Sequence, residues 1–160
     1  MTHTELHDLA RRIGVELASQ TKQDWGYVIP DEVSRWATIR LPDGRRCGCP
    51  EQYSQDPAVR GSCPFCRAIA EESVDAPAIS INASRSGDKG KIEISGTFPR
   101  SDKGAWYAPH IRPSIGVSAA KPVEKIAADI TRRFLPDYLA AHAEGLAQKR
   151  RDMDARGRGH

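Results

Sequence analysis

Apolar and polar positions repeat along this chain with two different periods, and the switches between them mark out helices and strands. Near the start, Leu6, Leu9, Ile13 and Leu17 recur at helical intervals, and Thr2-His-Thr-Glu5 has capping-box spacing. The pattern predicts a helix from about Thr4 to Ser19 with one apolar face. Period two follows. "WGYVIP" (25–30) sets Trp25, Tyr27 and Ile29 on one side, and "RWATIRL" (35–41) alternates Ala37, Ile39 and Leu41 with Trp36, Thr38 and Arg40. "PDGRR" (42–46) has the residue order of a tight turn. The strand pattern returns in "AISINAS" (78–84), crosses the turn "RSGDKG" (85–90) into "KIEISGTF" (91–98), and closes after a loop (99–113) with the shorter "SIGVS" (114–118).

A helical pattern ends the chain. Pro122 suits a first helical turn, and Val123, Ile126, Ile130 and Phe134 form the apolar stripe. Pro136 should kink or restart the helix, because it removes a hydrogen bond and its ring collides with the preceding turn. The stripe then continues through Tyr138, Leu139 and Leu146. The expected fold is α+β: an antiparallel sheet of about four or five strands, with the N- and C-terminal helices on one face. The opposite face is left open to solvent and available for binding.

Composition narrows the class. The chain has 160 residues, enough for one domain with an appended segment. We read residues 1–145 as a single α+β domain with an insert at 47–72, and 146–160 as a basic C-terminal arm. Of the net charge of +3, the arm supplies all, with five cations against two acids. A balanced body with a basic end is compatible with nucleic acid but does not require it. No stretch approaches the roughly 18–20 apolar residues needed to cross a bilayer, and "MTHTELHDLARR" has no signal-peptide core. These features point to the cytoplasm and to no membrane partner. There the four cysteines stay reduced and serve as metal ligands or catalytic thiols.

The cysteines fall in two pairs, Cys47-Gly-Cys49 and Cys63-Pro-Phe-Cys66, with thirteen residues between them. Zinc takes four ligands in a tetrahedron, and two short-spaced pairs brought together by a loop supply them. The second pair is a strong half-site, and Gly48 lets the first bend toward the same metal. "CPFCRAIAEE" also resembles a glutaredoxin active-site segment, but that fold sets its pair directly after a buried strand, whereas "YSQDPAVRGS" precedes it here. Nor does redox chemistry account for the other pair, Cys47 and Cys49. Zinc is the better reading, in a closed knuckle-like site that is structural rather than catalytic.

No nucleophile with a neighbouring base, phosphate-cradling glycine loop or carboxylate cluster is legible, so the chain reads as non-enzymatic. His110 reads as a surface histidine, and His142 as a partly exposed one. "PRSDKGAWYAPHIRP" (99–113) interleaves Arg100, Lys103 and Arg112 with Trp106 and Tyr107, a composition that suits phosphates and stacked bases. The two aromatics could instead cap one edge of the core. Arg45 and Arg46 at one turn tip, and Lys149, Arg150 and Arg151 on the arm, would extend a basic rim.

"KIEISGTFPRSDKG" followed by "IRPSIGVSAAKPVEKIAADITRRFLPDYL" resembles a pattern in small uncharacterised proteins of actinobacteria, their phages and integrative elements. The resemblance covers roughly residues 91–140. It implies a genomic context and no activity. The α-β-β-β-α order is similar to that of a double-stranded-RNA-binding domain, but the closing helix lacks that domain's lysine cluster. The expectation is a zinc-stabilised protein that binds nucleic acid through a basic-aromatic surface. An inhibitor or adaptor docking on a host protein is the alternative, and a dithiol redox protein the remote one.

Overall fold

The computed structural model describes residues 1–28, 36–41, 64, 75–83 and 90–158. The zinc expectation at Cys47, Cys49, Cys63 and Cys66 falls outside these residues, as do Arg45 and Arg46.

The first helix, α1 (His3–Thr21), starts where the sequence says it should. Thr2 Oγ1 accepts from the Glu5 N–H at 3.1 Å, and Glu5 Oε2 accepts from the Thr2 N–H at 3.3 Å. This capping box satisfies donors that the helix cannot pair internally. The five strands are β1 (Gly26–Val28), β2 (Trp36–Arg40), β3 (Ala78–Ala83), β4 (Lys91–Gly96) and β5 (Ser114–Ser118). They form one antiparallel sheet whose spatial order follows their order in the chain.

Register places the apolar residues on a single face. Ala37 pairs with Ile81, Ile81 with Ile94, and Ile94 with Ile115; Ile39 pairs with Ile79, and Ile92 with Val117. Side chains alternate along a strand, so all of these point the same way. They share one core with Leu6, Leu9, Ile13 and Leu17 of α1 and with Val123, Ile126, Ile130 and Phe134 of the closing helical segment. Each such side chain fully withdrawn from water contributes roughly 1.5–3 kcal/mol. The other face carries the row Thr38, Ser80, Ser95 and Ser114, in register across four strands.

The closing segment comprises α2 (Val123–Asp129), a π-helical turn (Ile130–Phe134) and α3 (Leu135–Arg158). The wide turn explains how Pro136 is tolerated. In a regular helix its ring would meet the carbonyl of residue 132, and it has no N–H to give. Here the Leu135 N–H donates five residues back, to the Ile130 carbonyl, and α3 proceeds from there. The stretch from residue 146 continues α3 as far as Arg158. No helix among the described residues is long and apolar enough to cross a membrane.

Candidate functional site

Beyond β4 the chain makes a small hairpin held by its own backbone. Arg100 and Trp106 form an antiparallel bridge, and the Tyr107 N–H donates to the Pro99 carbonyl at 2.8 Å. Inside it, the Ser101 N–H donates to the Ala105 carbonyl at 2.8 Å, and Ser101 Oγ accepts from the Ala105 N–H at 3.0 Å. The Arg100 Nε–H donates to the Gly104 carbonyl at 3.2 Å, which fixes the direction of that side chain.

The consequence is a cluster on the surface. The guanidinium carbon of Arg100 lies 4.8 Å from the centroid of the Trp106 ring, and that of Arg112 lies 5.7 Å from it. The Arg112 guanidinium carbon also lies 5.8 Å from the ring centroid of buried Phe98, so the group sits between the core edge and the exposed indole. Trp106 is 47% exposed. Cation–π attraction to an indole holds each guanidinium in place, with about 0.5–1 kcal/mol expected at an exposed site. Lys103, at the hairpin tip, is exposed. Ile111, between His110 and Arg112, is 83% exposed, and His110 is exposed beside it.

The hairpin is docked on α3. Gly145 is buried against the Tyr107 carbonyl so closely that any Cβ there would collide with it. The Tyr107 hydroxyl donates to Asp152 Oδ2 at 2.9 Å, and this hydrogen bond raises the phenol above its ordinary pKa. Arg156 approaches Asp102 at 3.6 Å. Tyr107 is therefore a positioning residue, half-buried and engaged at its hydroxyl, whereas Trp106 faces solvent.

Of the sequence-predicted contact residues, the structure brings together Arg100, Lys103, Trp106, Tyr107 and Arg112. Three on α3 stand apart from them in role. Lys149 forms a largely buried ion pair with Asp75 at 2.6 Å. Arg151 is engaged with Gln148 at 2.7 Å and reaches Glu144 at 3.5 Å. Arg150 is exposed and lines a cleft beside Lys149. The open sheet face is a weaker anion surface, since Lys91 there is set beside Glu93 along β4 and the central row is hydroxyls.

His142 departs from expectation. It is only 4% exposed, and its ring meets that of Tyr138 edge-on, with centroids 5.9 Å apart. Phe134, Tyr138 and His142 are spaced by four residues each and occupy one stripe, so the helical period placed His142 inside. Burial pushes its pKa down, opposed by the Asp75 backbone. Among the described residues, no three or more histidine, cysteine or acidic side chains are grouped to hold a metal ion.

Comparison of the chain with protein-family models, with curated proteins and with solved structures finds no match.

Proposed function

We propose that this protein binds nucleic acid through the hairpin cluster, with single strands preferred. The observation that carries the reading is the pair of arginines, Arg100 and Arg112, held over one half-exposed indole. Guanidinium groups supply paired donors to phosphate oxygens, and their planes stack on unpaired bases. Because the indole already carries both arginines, they are ordered before a ligand arrives, and less conformational entropy is lost on binding. Lys103 adds a further charge at the tip. Favouring single strands follows from the short, exposed aromatic loop and from the absence of a lysine cluster at the start of α2.

The accompanying proposal is a structural zinc ion held by Cys47, Cys49, Cys63 and Cys66. Its support is the chemistry of the donor set: four thiolates in two short-spaced pairs suit Zn²⁺ and leave no open position for catalysis. In this reading the protein is non-enzymatic, acts in the cytoplasm and is encoded by an actinobacterial phage or mobile element, a context suggested by the pattern of residues 91–140.

Fluorescence anisotropy of mixed-sequence single-stranded and duplex DNA and RNA tests the main reading. Binding that falls log-linearly with salt and is tighter for single strands is expected. No binding of any nucleic acid at low salt would sink it and leave a protein partner as the successor reading.

A further inference from the structure

Behind the hairpin, on another side of α3, lies a cleft of about 540 Å³ between that helix and residues 75–77. This is within the roughly 300–1,000 Å³ typical of small-molecule sites. Its walls divide by chemistry. Pro77, Leu139 and Leu146 give it an apolar side. Lys149, Arg150 and Asp75 give it a charged side, with two cations against one carboxylate.

The charged side is unevenly satisfied. Lys149 Nζ and Asp75 Oδ2 are 2.6 Å apart, and their side chains are only 15% and 18% exposed. The ammonium has three donors, and Asp75 takes one of them. The Arg150 side chain has no hydrogen bond or ion pair with another described residue. His142 borders the same cleft, and its Nε2 is buried without a hydrogen-bond partner among the described residues. Buried polar atoms are nearly always paired in folded proteins, so this unsatisfied ring, withdrawn into the cleft wall, is sensitive to what fills the cleft.

We propose that this cleft binds a small amphipathic monoanion, an organic carboxylate with an apolar or aromatic body. Arg150 and the free donors of Lys149 take the carboxylate, while Pro77, Leu139 and Leu146 cover the body. The single excess positive charge matches a monoanion. An inorganic phosphate would leave the apolar wall wet, and a neutral amphiphile would leave Arg150 unpaired. The site is independent of the hairpin cluster and stands or falls without the nucleic-acid reading.

The test uses the full-length protein and three probes: naphthoate, its neutral isostere naphthalenemethanol, and inorganic phosphate. Titrations are followed by the His142 ring resonances in NMR and by calorimetry. Naphthoate alone should shift those resonances saturably, with a dissociation constant in the range of about 10 µM to 1 mM. Arg150→Ala, an exposed change that spares the Lys149–Asp75 pair, should weaken binding about tenfold or more, as for the removal of one charge-assisted hydrogen bond. Lys149→Arg keeps a cation for Asp75 and should retain binding of the same order. The proposal is overturned if naphthoate produces no saturable shift at millimolar concentration. It is equally overturned if naphthalenemethanol or phosphate matches naphthoate, or if Arg150→Ala binds like the parent protein.

Discussion

The ring of Tyr138 lies directly on Gly96, so close that a Cβ at residue 96 would fall inside the van der Waals surface of the ring. The contact locates α3 on the sheet. Gly96 is the last residue of β4 and pairs with Ile79 near the start of β3. There the Tyr138 hydroxyl accepts from the Ala78 N–H at 2.9 Å and lies 2.7 Å from the Thr97 carbonyl oxygen. The Ala78 carbonyl oxygen is 3.0 Å away, so one phenol clips the ends of two neighbouring strands. Phe134 stacks on the same ring at 5.1 Å, and Phe98 meets it edge-on at 5.6 Å.

Two substitutions separate shape from hydrogen bonding at this contact. Gly96→Ala should destabilise by about 1–3 kcal/mol or more, since the added methyl meets a packed ring rather than a flexible tip. Tyr138→Phe keeps the packing but strands the buried Ala78 N–H, at a cost of about 1–3 kcal/mol. Urea denaturation midpoints measure both. Parent-like midpoints for the two variants would show that α3 does not seat here.

Buried His142 gives the stability curve a predicted sign. Its folded pKa lies below its ordinary value of 6.5, because burial disfavours the charged ring. The unfolded chain therefore takes up a proton first as pH falls. The His142 contribution is fully present above about pH 6.5 and is lost on acidification, with a slope of at most about 1.4 kcal/mol per pH unit, until the folded pKa is passed. Asp75, Lys149 and Arg150 are the charged groups bordering the same cleft. The difference in urea midpoint between the parent and His142→Gln should thus change between about pH 7.5 and about pH 5.5. A difference that stays constant would place the ring in solvent.

Much of this architecture was legible because it depends on short-range periodicity. The capping box at Thr2 and Glu5, the period-two rows around Ile39, Ile81 and Ile94, and the stripe from Val123 to Phe134 are written in single windows. What eluded sequence reasoning depends on partners distant in the chain. The Lys149–Asp75 pair joins residues 74 positions apart, so a basic stretch could not reveal which of its charges were already engaged. His142 shows the opposite case: the stripe of Phe134 and Tyr138 held the signal, and extending it by four residues would have buried the ring. Pro136 announced a disturbance, but its form, a widened turn before the proline, depends on backbone hydrogen bonding that composition does not specify.

The zinc proposal has a stoichiometric test. Purified protein should carry about one zinc per chain, and a chelator should release it while making four thiols reactive. Elemental analysis with a thiol titration on the same sample measures both. Metal-free protein with four reactive thiols and an unchanged unfolding curve would remove the site. A disulfide between Cys63 and Cys66 with a measurable reduction potential would favour the redox alternative.

The nucleic-acid proposal makes its sharpest prediction at Trp106, because the indole and the arginines it carries should fail in different ways. Arg100→Ala and Arg112→Ala should each reduce the salt dependence of binding by about 0.7–0.9 in log–log slope, the amount for one phosphate no longer neutralised. Arg100→Lys and Arg112→Lys keep the charge, so the slope should hold, but they lack the planar fork and its stacking, so affinity should still fall. Trp106→Ala removes the surface on which both guanidiniums rest without removing a cation. Its slope should also stay near the parent's, while affinity drops because both arginines lose their ordering, by about 0.5–1 kcal/mol for each cation–π contact removed. Folding should be little affected, because nearly half of the side chain is exposed and the hairpin is closed by backbone bonds at Pro99, Ser101 and Ala105. Deleting the end of α3 would be a poor substitute, since it takes Asp152 from Tyr107 and unseats the hairpin itself. Should Trp106→Ala lower the unfolding midpoint as much as it weakens binding, the indole belongs to the core edge and not to an interface. If instead the arginine variants bind with the parent's slope, the phosphates are held elsewhere and the hairpin is not the site.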